Sequence, residues 1–281
     1  MTRERGDSEA DRVMLKRTVT STILILIVIF SIFILPVWTF GIAASLFIGL
    51  GLYEFFRLGN AKEIFPISFA YVGIFSGILL PCITYLYRPT GGIWEMVFFI
   101  IILITLFMIH FARKESRNAV NLIAVTLFAI FYIGWFFTFL VKIRFMEDGG
   151  KLVVFLLLVT KFGDIGAYLI GSNFGRHKLI PRISPNKSVE GAIGGFIFSL
   201  VCAVMLGRYY ITWMDFGFIM ASGVLIGVFA QLGDLAESLI KRDYEVKDSS
   251  VFLPGLGGML DVIDSILFTA PIFYICLVIF R

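Results

Sequence analysis

Apolar stretches of membrane-spanning length recur along the whole chain, near 18–35, 38–56, 64–86, 93–112, 119–141, 151–172, 189–210, 214–240 and 260–280. A bilayer core takes about 20 apolar residues to cross as a helix. Inside it every backbone N–H and C=O must be satisfied by the chain itself, so helices are the only open-ended solution. The sequence therefore predicts an all-α, polytopic transmembrane bundle of about nine spans. Only 16% of its 281 residues are charged, against roughly 25% in soluble domains, and no polar stretch is long enough for a soluble domain. Pro36 divides the first two spans. Residues 1–17 are read as a polar cytoplasmic segment, 18–150 as N-terminal spans, and 151–281 as the region that carries chemistry. No small-residue cleavage site follows a short apolar core, so the first span is expected to be a retained helix and not a signal peptide.

Lys and Arg fix the expected orientation. With the N-terminus inside, the inner segments hold 17 of them: five in 1–17, then Arg57, Lys62, Arg113, Lys114, Arg117, Arg176, Lys178, Arg182, Lys187, Lys241, Arg242 and Lys247. The outer side holds six: Arg88, Lys142, Arg144, Lys151, Arg208 and Arg281. This places loops 173–190 and 241–259 on one cytoplasmic face, as a shared site requires. Cys82, Cys202 and Cys276 lie far apart in apolar segments and read as packing residues. With only His110 and His177, a His-rich zinc site is excluded. Glu54 and Arg57 read as an interfacial pair. No nucleic-acid partner is expected.

Against this background four acidic residues stand out in or at the mouths of spans: Asp164, Asp234, Glu237 and Asp261. An ionised carboxylate at mid-helix depth costs about 2.5–3.5 kcal/mol on insertion scales, so such groups face a bundle interior or a wet cavity. Asp234, Glu237, Ser238 and Lys241 fall at i, i+3, i+4 and i+7, one stripe running from carboxylates to cations, with Arg242 next in line. Further on come Lys247–Asp248, a Pro254–Gly258 turn, and Asp261 and Asp264 one turn apart at the start of the last span. Gly257 and Gly258 let backbone approach a ligand, and the helix start offers free N–H groups to phosphate. In the earlier loop, Ser184, Lys187, Ser188 and Glu190 stand directly at the helix expected from Val189, again a phosphate-binding arrangement. Lys161 and Asp164, at i and i+3, form a buried pair or line the same cavity. Carboxylates and glycines without histidine suit a hard cation such as Mg²⁺, which keeps waters and shares substrate phosphates; the number of ions stays open.

At these residues the sequence resembles the phosphatidate cytidylyltransferase (CDP-diacylglycerol synthase) family. The resemblance rests on Ser238–Leu–Ile–Lys241–Arg242, Lys247–Asp248, Pro254–Gly–Leu–Gly–Gly258 and Asp261–Val–Ile–Asp264. Gly233–Asp234–Leu–Ala–Glu237 and Ser184–Pro–Asn–Lys187–Ser188–Val–Glu190–Gly191 precede them in family order. The clear match covers roughly residues 160–275; the first half agrees only in hydropathy. Leu256 and Val262 depart from the His and Arg found in many members.

The resemblance implies CTP + phosphatidic acid → CDP-diacylglycerol + pyrophosphate, at the cytoplasmic side of the inner (plasma) membrane, by a homodimer that uses Mg²⁺. It implies Asp234, Asp261, Asp264 and Glu237 as metal-site residues. Ser184, Lys187, Ser188, Glu190, Gly257 and Gly258 are implied on the substrate, and Lys241, Arg242, Lys247, Asp248 and Asp164 in catalysis. A CTP-dependent lipid kinase is the near alternative and an ion-coupled transporter the distant one. An alcohol phosphotransferase would need an Asp-Gly-x-x-Ala-Arg pattern that the chain lacks.

Overall fold

A computed structural model of the chain describes residues 19–60 apart from 21 and 24, and 66–87, 92–114, 117–246 and 257–280. Its architecture is the all-α bundle expected. Helical residues 25–33 (α1) lead through a turn at Pro36 into α2 (Val37–Asn60), then α3 (Ile67–Leu86), α4 (Ile93–Phe111) and α5 (Ala119–Ala129). A π-helical turn, Ile130–Trp135, joins α5 to α6 (Phe136–Arg144) within one continuous span. The last four helices are α7 (Gly149–Phe174), α8 (Val189–Tyr209), α9 (Phe216–Asp243) and α10 (Met259–Phe280). Eight helices among the described residues are long and apolar enough to cross a membrane. They match eight of the nine expected spans. The remaining one, 18–35, is described only in part, with 18, 21 and 24 outside the described residues.

Local chemistry explains the helix boundaries. Pro36 cannot continue α1, but its fixed φ suits the start of α2. Asp215 caps α9 by accepting the Phe218 N–H at 2.7 Å, and Ser188 caps α8 by accepting the Gly191 N–H at 3.1 Å. Between α7 and α8 the chain does not stay irregular. Lys178–Ile180 (β1) and Ser184–Ser188 (β2) pair as a short antiparallel hairpin over the expected loop.

Helices α7, α8, α9 and α10 pack in sequence, α2 packs along α3, and α10 also touches α2, α6 and α7. The last helix therefore runs through the middle of the molecule. Phe273 stacks on Phe155 of α7 with centroids 5.5 Å apart, and Ile263 and Leu267 are fully enclosed. By contrast α4 shows most of its surface, including Met96, Ile100, Ile104 and Met108, as lipid-facing apolar bulk. Charge is not confined to one mouth of the bundle. Between α3, α4 and α6 Lys142 pairs with buried Glu95 at 2.8 Å, and Glu95 also accepts from Trp135 Nε1 at 2.8 Å and Thr84 Oγ1 at 3.2 Å. Every partner in that network is satisfied within the protein, so it reads as a structural clamp.

Candidate functional site

The site forms where α7, the start of α8, the inner half of α9 and the start of α10 converge. Gly233 makes the closest approach possible. A Cβ there would lie 2.5 Å from the Asp264 carbonyl oxygen and 3.1 Å from Ser265 Cα. With no side chain at that point, α9 and α10 touch backbone to backbone, and the next residue, Asp234, comes within electrostatic reach of Asp264. Asp264 starts the second turn of α10, three residues on from Asp261.

The expected metal carboxylates divide into two groups. In the first, Lys241 Nζ lies 2.5 Å from Glu237 Oε2 and 2.7 Å from Asp261 Oδ1, with exposures of 12%, 1% and 19% for the three side chains. Asp261 Oδ2 also accepts the Gly258 N–H at 2.8 Å, so this aspartate ties its own helix start to α9. Gly257 adopts φ +89°, a backbone conformation glycine takes at little cost. Glu237 Oε1 is buried without a hydrogen-bond partner among the described residues.

In the second group, Lys187 Nζ sits 2.7 Å from Asp234 Oδ2, as a charge contact without hydrogen-bond alignment. Lys161 donates to Asp164 Oδ2 at 3.0 Å, to Ser265 Oγ at 3.1 Å and to the Val262 carbonyl at 3.2 Å, and Ser265 Oγ reaches Asp164 at 3.2 Å. Lys161 and Asp164 are therefore both a pair and part of the site. Among the described residues no three Asp, Glu, His or Cys side chains converge as a ready metal cage. Lysine ammonium groups rest on Asp164, Asp234, Glu237 and Asp261, whereas Asp264 accepts the Ser265 N–H.

Beside the second group opens a cavity of about 480 Å³, the size of a small-ligand pocket. Its walls come from α7 (Asp164, Tyr168, Gly171), β2 (Ser184, Asn186, Lys187), the α8 start (Ser188, Gly191) and α9 (Gln231, Asp234). Gln231 is fixed by donating to the Ala192 carbonyl at 2.9 Å. The cavity combines a helix N-terminus, an ammonium, hydroxyls and two carboxylates, a setting suited to a polyphosphate and its counter-ion.

Glu190, expected on the substrate, and Arg242, expected in catalysis, both make contacts to the hairpin. Glu190 accepts the backbone N–H groups of Arg176 at 3.0 Å and His177 at 3.2 Å, and contacts His177 Nδ1 at 2.6 Å, stapling the chain ahead of β1 to α8. Arg242 donates through Nε to the Ile183 carbonyl at 3.0 Å, strapping the hairpin turn to α9. Both thus hold the hairpin against α8 and α9 through backbone groups. Lys247 and Asp248 lie outside the described residues, as does the Pro254–Leu256 part of the turn.

The first half of the chain also reaches the site, which its hydropathy did not signal. Glu54, expected at the interface, is 1% exposed. Its two oxygens accept the Met259 and Leu260 N–H groups at 2.9 Å each, capping α10 from α2. From the π-helical turn, Tyr132 packs on Phe268 of α10 with centroids 6.0 Å apart.

A sequence profile described as the cytidylyltransferase family matches residues 15–280, including the helices of the first half. The phosphatidate cytidylyltransferase of Bacillus subtilis (strain 168) is 36% identical over 187 residues, 66% of this chain and 68% of that protein. That of Staphylococcus haemolyticus (strain JCSC1435) is 35% identical over 209 residues, 73% and 79% of the two chains. That of Synechocystis sp. (strain ATCC 27184 / PCC 6803 / Kazusa) is 33% identical over 279 residues, 87% and 90%. A match that spans nearly the whole chain, over a bundle whose first and last halves build one site, places this protein in the cytidylyltransferase family.

Proposed function

We propose that this protein transfers CMP from CTP to phosphatidic acid, giving CDP-diacylglycerol and pyrophosphate, with its site open to the cytoplasmic face of the plasma membrane. The observation that carries the proposal is the cavity between β2, the α8 start and α9. It sets phosphate-binding groups against carboxylates at the edge of the membrane-spanning bundle. Lys187, Ser184, Ser188 and the α8 N-terminus hold the nucleotide triphosphate. The relatives named above act on phosphatidate, and the apolar surface of this chain supports a lipid that stays in the bilayer while its headgroup reaches the site.

A phosphate monoester is largely dianionic near pH 7, so its oxygen attacks the α-phosphorus without a general base. The bond to the pyrophosphate leaving group breaks as the new P–O bond forms. Catalysis then consists of aligning two polyanions and screening their repulsion. Lys241 and Lys161, fixed between helices, are rigid sources of positive charge near the reacting phosphates.

The donor set fits a hard divalent cation such as Mg²⁺. The groups are carboxylates, two lysine ammoniums rest on them in its stead, and Glu237 Oε1 is buried without a partner among the described residues. Asp234 and Asp264 would hold such an ion, with Asp261 and Glu237 behind them. The absence of a ready three-carboxylate cage among the described residues suits an ion that takes its remaining ligands from waters and substrate phosphates. When bound, it would supply charge neutralisation on the triphosphate.

The test is purified protein with α-³²P-labelled CTP, phosphatidic acid and Mg²⁺, with chelator and other nucleotides as controls. Label is expected in CDP-diacylglycerol, and its loss is expected in Asp234→Asn. Label transfer only from γ-³²P-CTP would point to a lipid kinase instead.

A further inference from the structure

Tyr132 is one of the buried polar groups among the described residues that the site has not accounted for. It is 4% exposed, yet its phenol oxygen has no hydrogen-bond partner among the described residues. A buried hydroxyl left unsatisfied costs about 1–3 kcal/mol, so a chain that keeps one in its core has a use for it in another state. The backbone around it is also unusual. Tyr132 sits in the π-helical turn Ile130–Trp135, a form rare elsewhere and frequent at functional sites. One extra residue in a turn rotates the remainder of the helix by about 100°.

The ring is locked in place. It stacks on Phe128 with centroids 5.4 Å apart, and lies edge-on to Phe136 at 6.3 Å and to Phe268 at 6.0 Å. Phe268 is on the α10 face that carries Asp261 and Asp264, at i, i+3 and i+7. The acidic groups within electrostatic reach of the phenol are Asp264, Glu237 and Asp234. Tyr132 therefore approaches the α10 carboxylate face from the α5–α6 span, whereas the nucleotide cavity opens from the hairpin side and does not include it. Its neighbour Phe128 also lines a wholly apolar groove of about 520 Å³ between α4 and α5, with Phe99, Leu103 and Phe131. That groove suits an acyl chain whose headgroup lies at Tyr132.

Resting on the CTP–phosphatidate reading, we propose that Tyr132 is a binding residue for the lipid substrate. Its phenol donates a hydrogen bond to a phosphate oxygen of phosphatidic acid, which approaches from the α4–α5 side.

Tyr132→Phe tests this, because phenylalanine keeps the ring contacts and removes only the hydroxyl. Three readouts are expected. The KM for phosphatidic acid rises about ten-fold while the KM for CTP stays within two-fold. Without substrate, the variant melts in detergent at or above the wild-type temperature, since an unsatisfied group has been removed. The thermal stabilisation that phosphatidic acid gives wild type is diminished. An unchanged lipid KM, or a lower melting temperature in the unloaded variant, overturns the assignment, the latter by revealing a partner within the protein. If wild type transfers nothing from CTP to phosphatidate, the parent reading fails instead. In that case the two melting experiments still decide whether Tyr132 meets the lipid. Phe128→Ala, which opens the groove and also removes the ring stacked on Tyr132, is read only for preference among acyl-chain lengths, which is expected to shift; identical preference counts against the groove.

Discussion

Replacing Lys241 by methionine keeps most of the side-chain length and removes the one cation between Glu237 and Asp261 among the described residues. Were the triad exposed, the change would cost no more than about 1 kcal/mol. Here the two carboxylates are 1% and 19% exposed, and breaking a buried pair by deleting one member costs about 3–5 kcal/mol, because a charge is left without compensation. For a domain of this size each kcal/mol moves the melting temperature by roughly 2–4 °C, so a fall of roughly 10 °C is expected. Intrinsic tryptophan fluorescence of protein in detergent micelles can follow it. The double variant Lys241→Met/Glu237→Gln removes the repulsion as well, and Asp261 keeps its bond from the Gly258 N–H. Most of the lost stability should return, with a coupling energy above about 1 kcal/mol. Activity should not return with it, because the ammonium that screens phosphate is still missing. A single variant that melts within about 2 °C of wild type, or a double variant no more stable than the single, would refute the reasoning about this triad.

The geometry sets three further outcomes. Glu54→Gln turns one acceptor into a donor facing an N–H group, and should lower stability by about 1.5–3 kcal/mol in thermal unfolding. It should also reduce turnover by disturbing the start of α10. Gly233→Ala places a methyl group 2.5 Å from the Asp264 carbonyl, so α9 and α10 must separate. A stability loss of about 1–3 kcal/mol and near-complete loss of CMP transfer are expected, whereas unchanged kinetics would show that the crossing has slack. Lys187→Ala should raise the KM for CTP at least ten-fold more than that for phosphatidic acid in steady-state assays, and a reversed ratio would place this lysine on the lipid.

The helical stripe of Asp234, Glu237 and Lys241 was legible because period and charge coincide. So was the Lys161–Asp164 pair, three residues apart in an apolar span. What escaped sequence reasoning is non-local. Nothing near residue 54 announces that its carboxylate caps a helix beginning at 259, since a burial 205 residues away leaves no mark on local periodicity. The π turn is equally silent: Ile130–Trp135 reads as one more apolar stretch. The short hairpin was equally unannounced: it needs few ladder bonds, and β2 forms with Pro185 inside it. Glu190 and Arg242 carry contacts that their charge alone did not announce. Charge next to a phosphate motif suggests substrate, but each is drawn to backbone groups that only the folded loop supplies.

The cap from Glu54 onto α10 also orders events during biogenesis. N-terminal segments are made first, so α2 enters the bilayer with an acidic group whose acceptor duty cannot begin until the final span leaves the ribosome. Until then that carboxylate lacks the two α10 N–H groups it accepts in the finished bundle, a flag of incomplete assembly. Release of the flag coincides with placement of the aspartates, so a nascent chain becomes stable and competent in the same event.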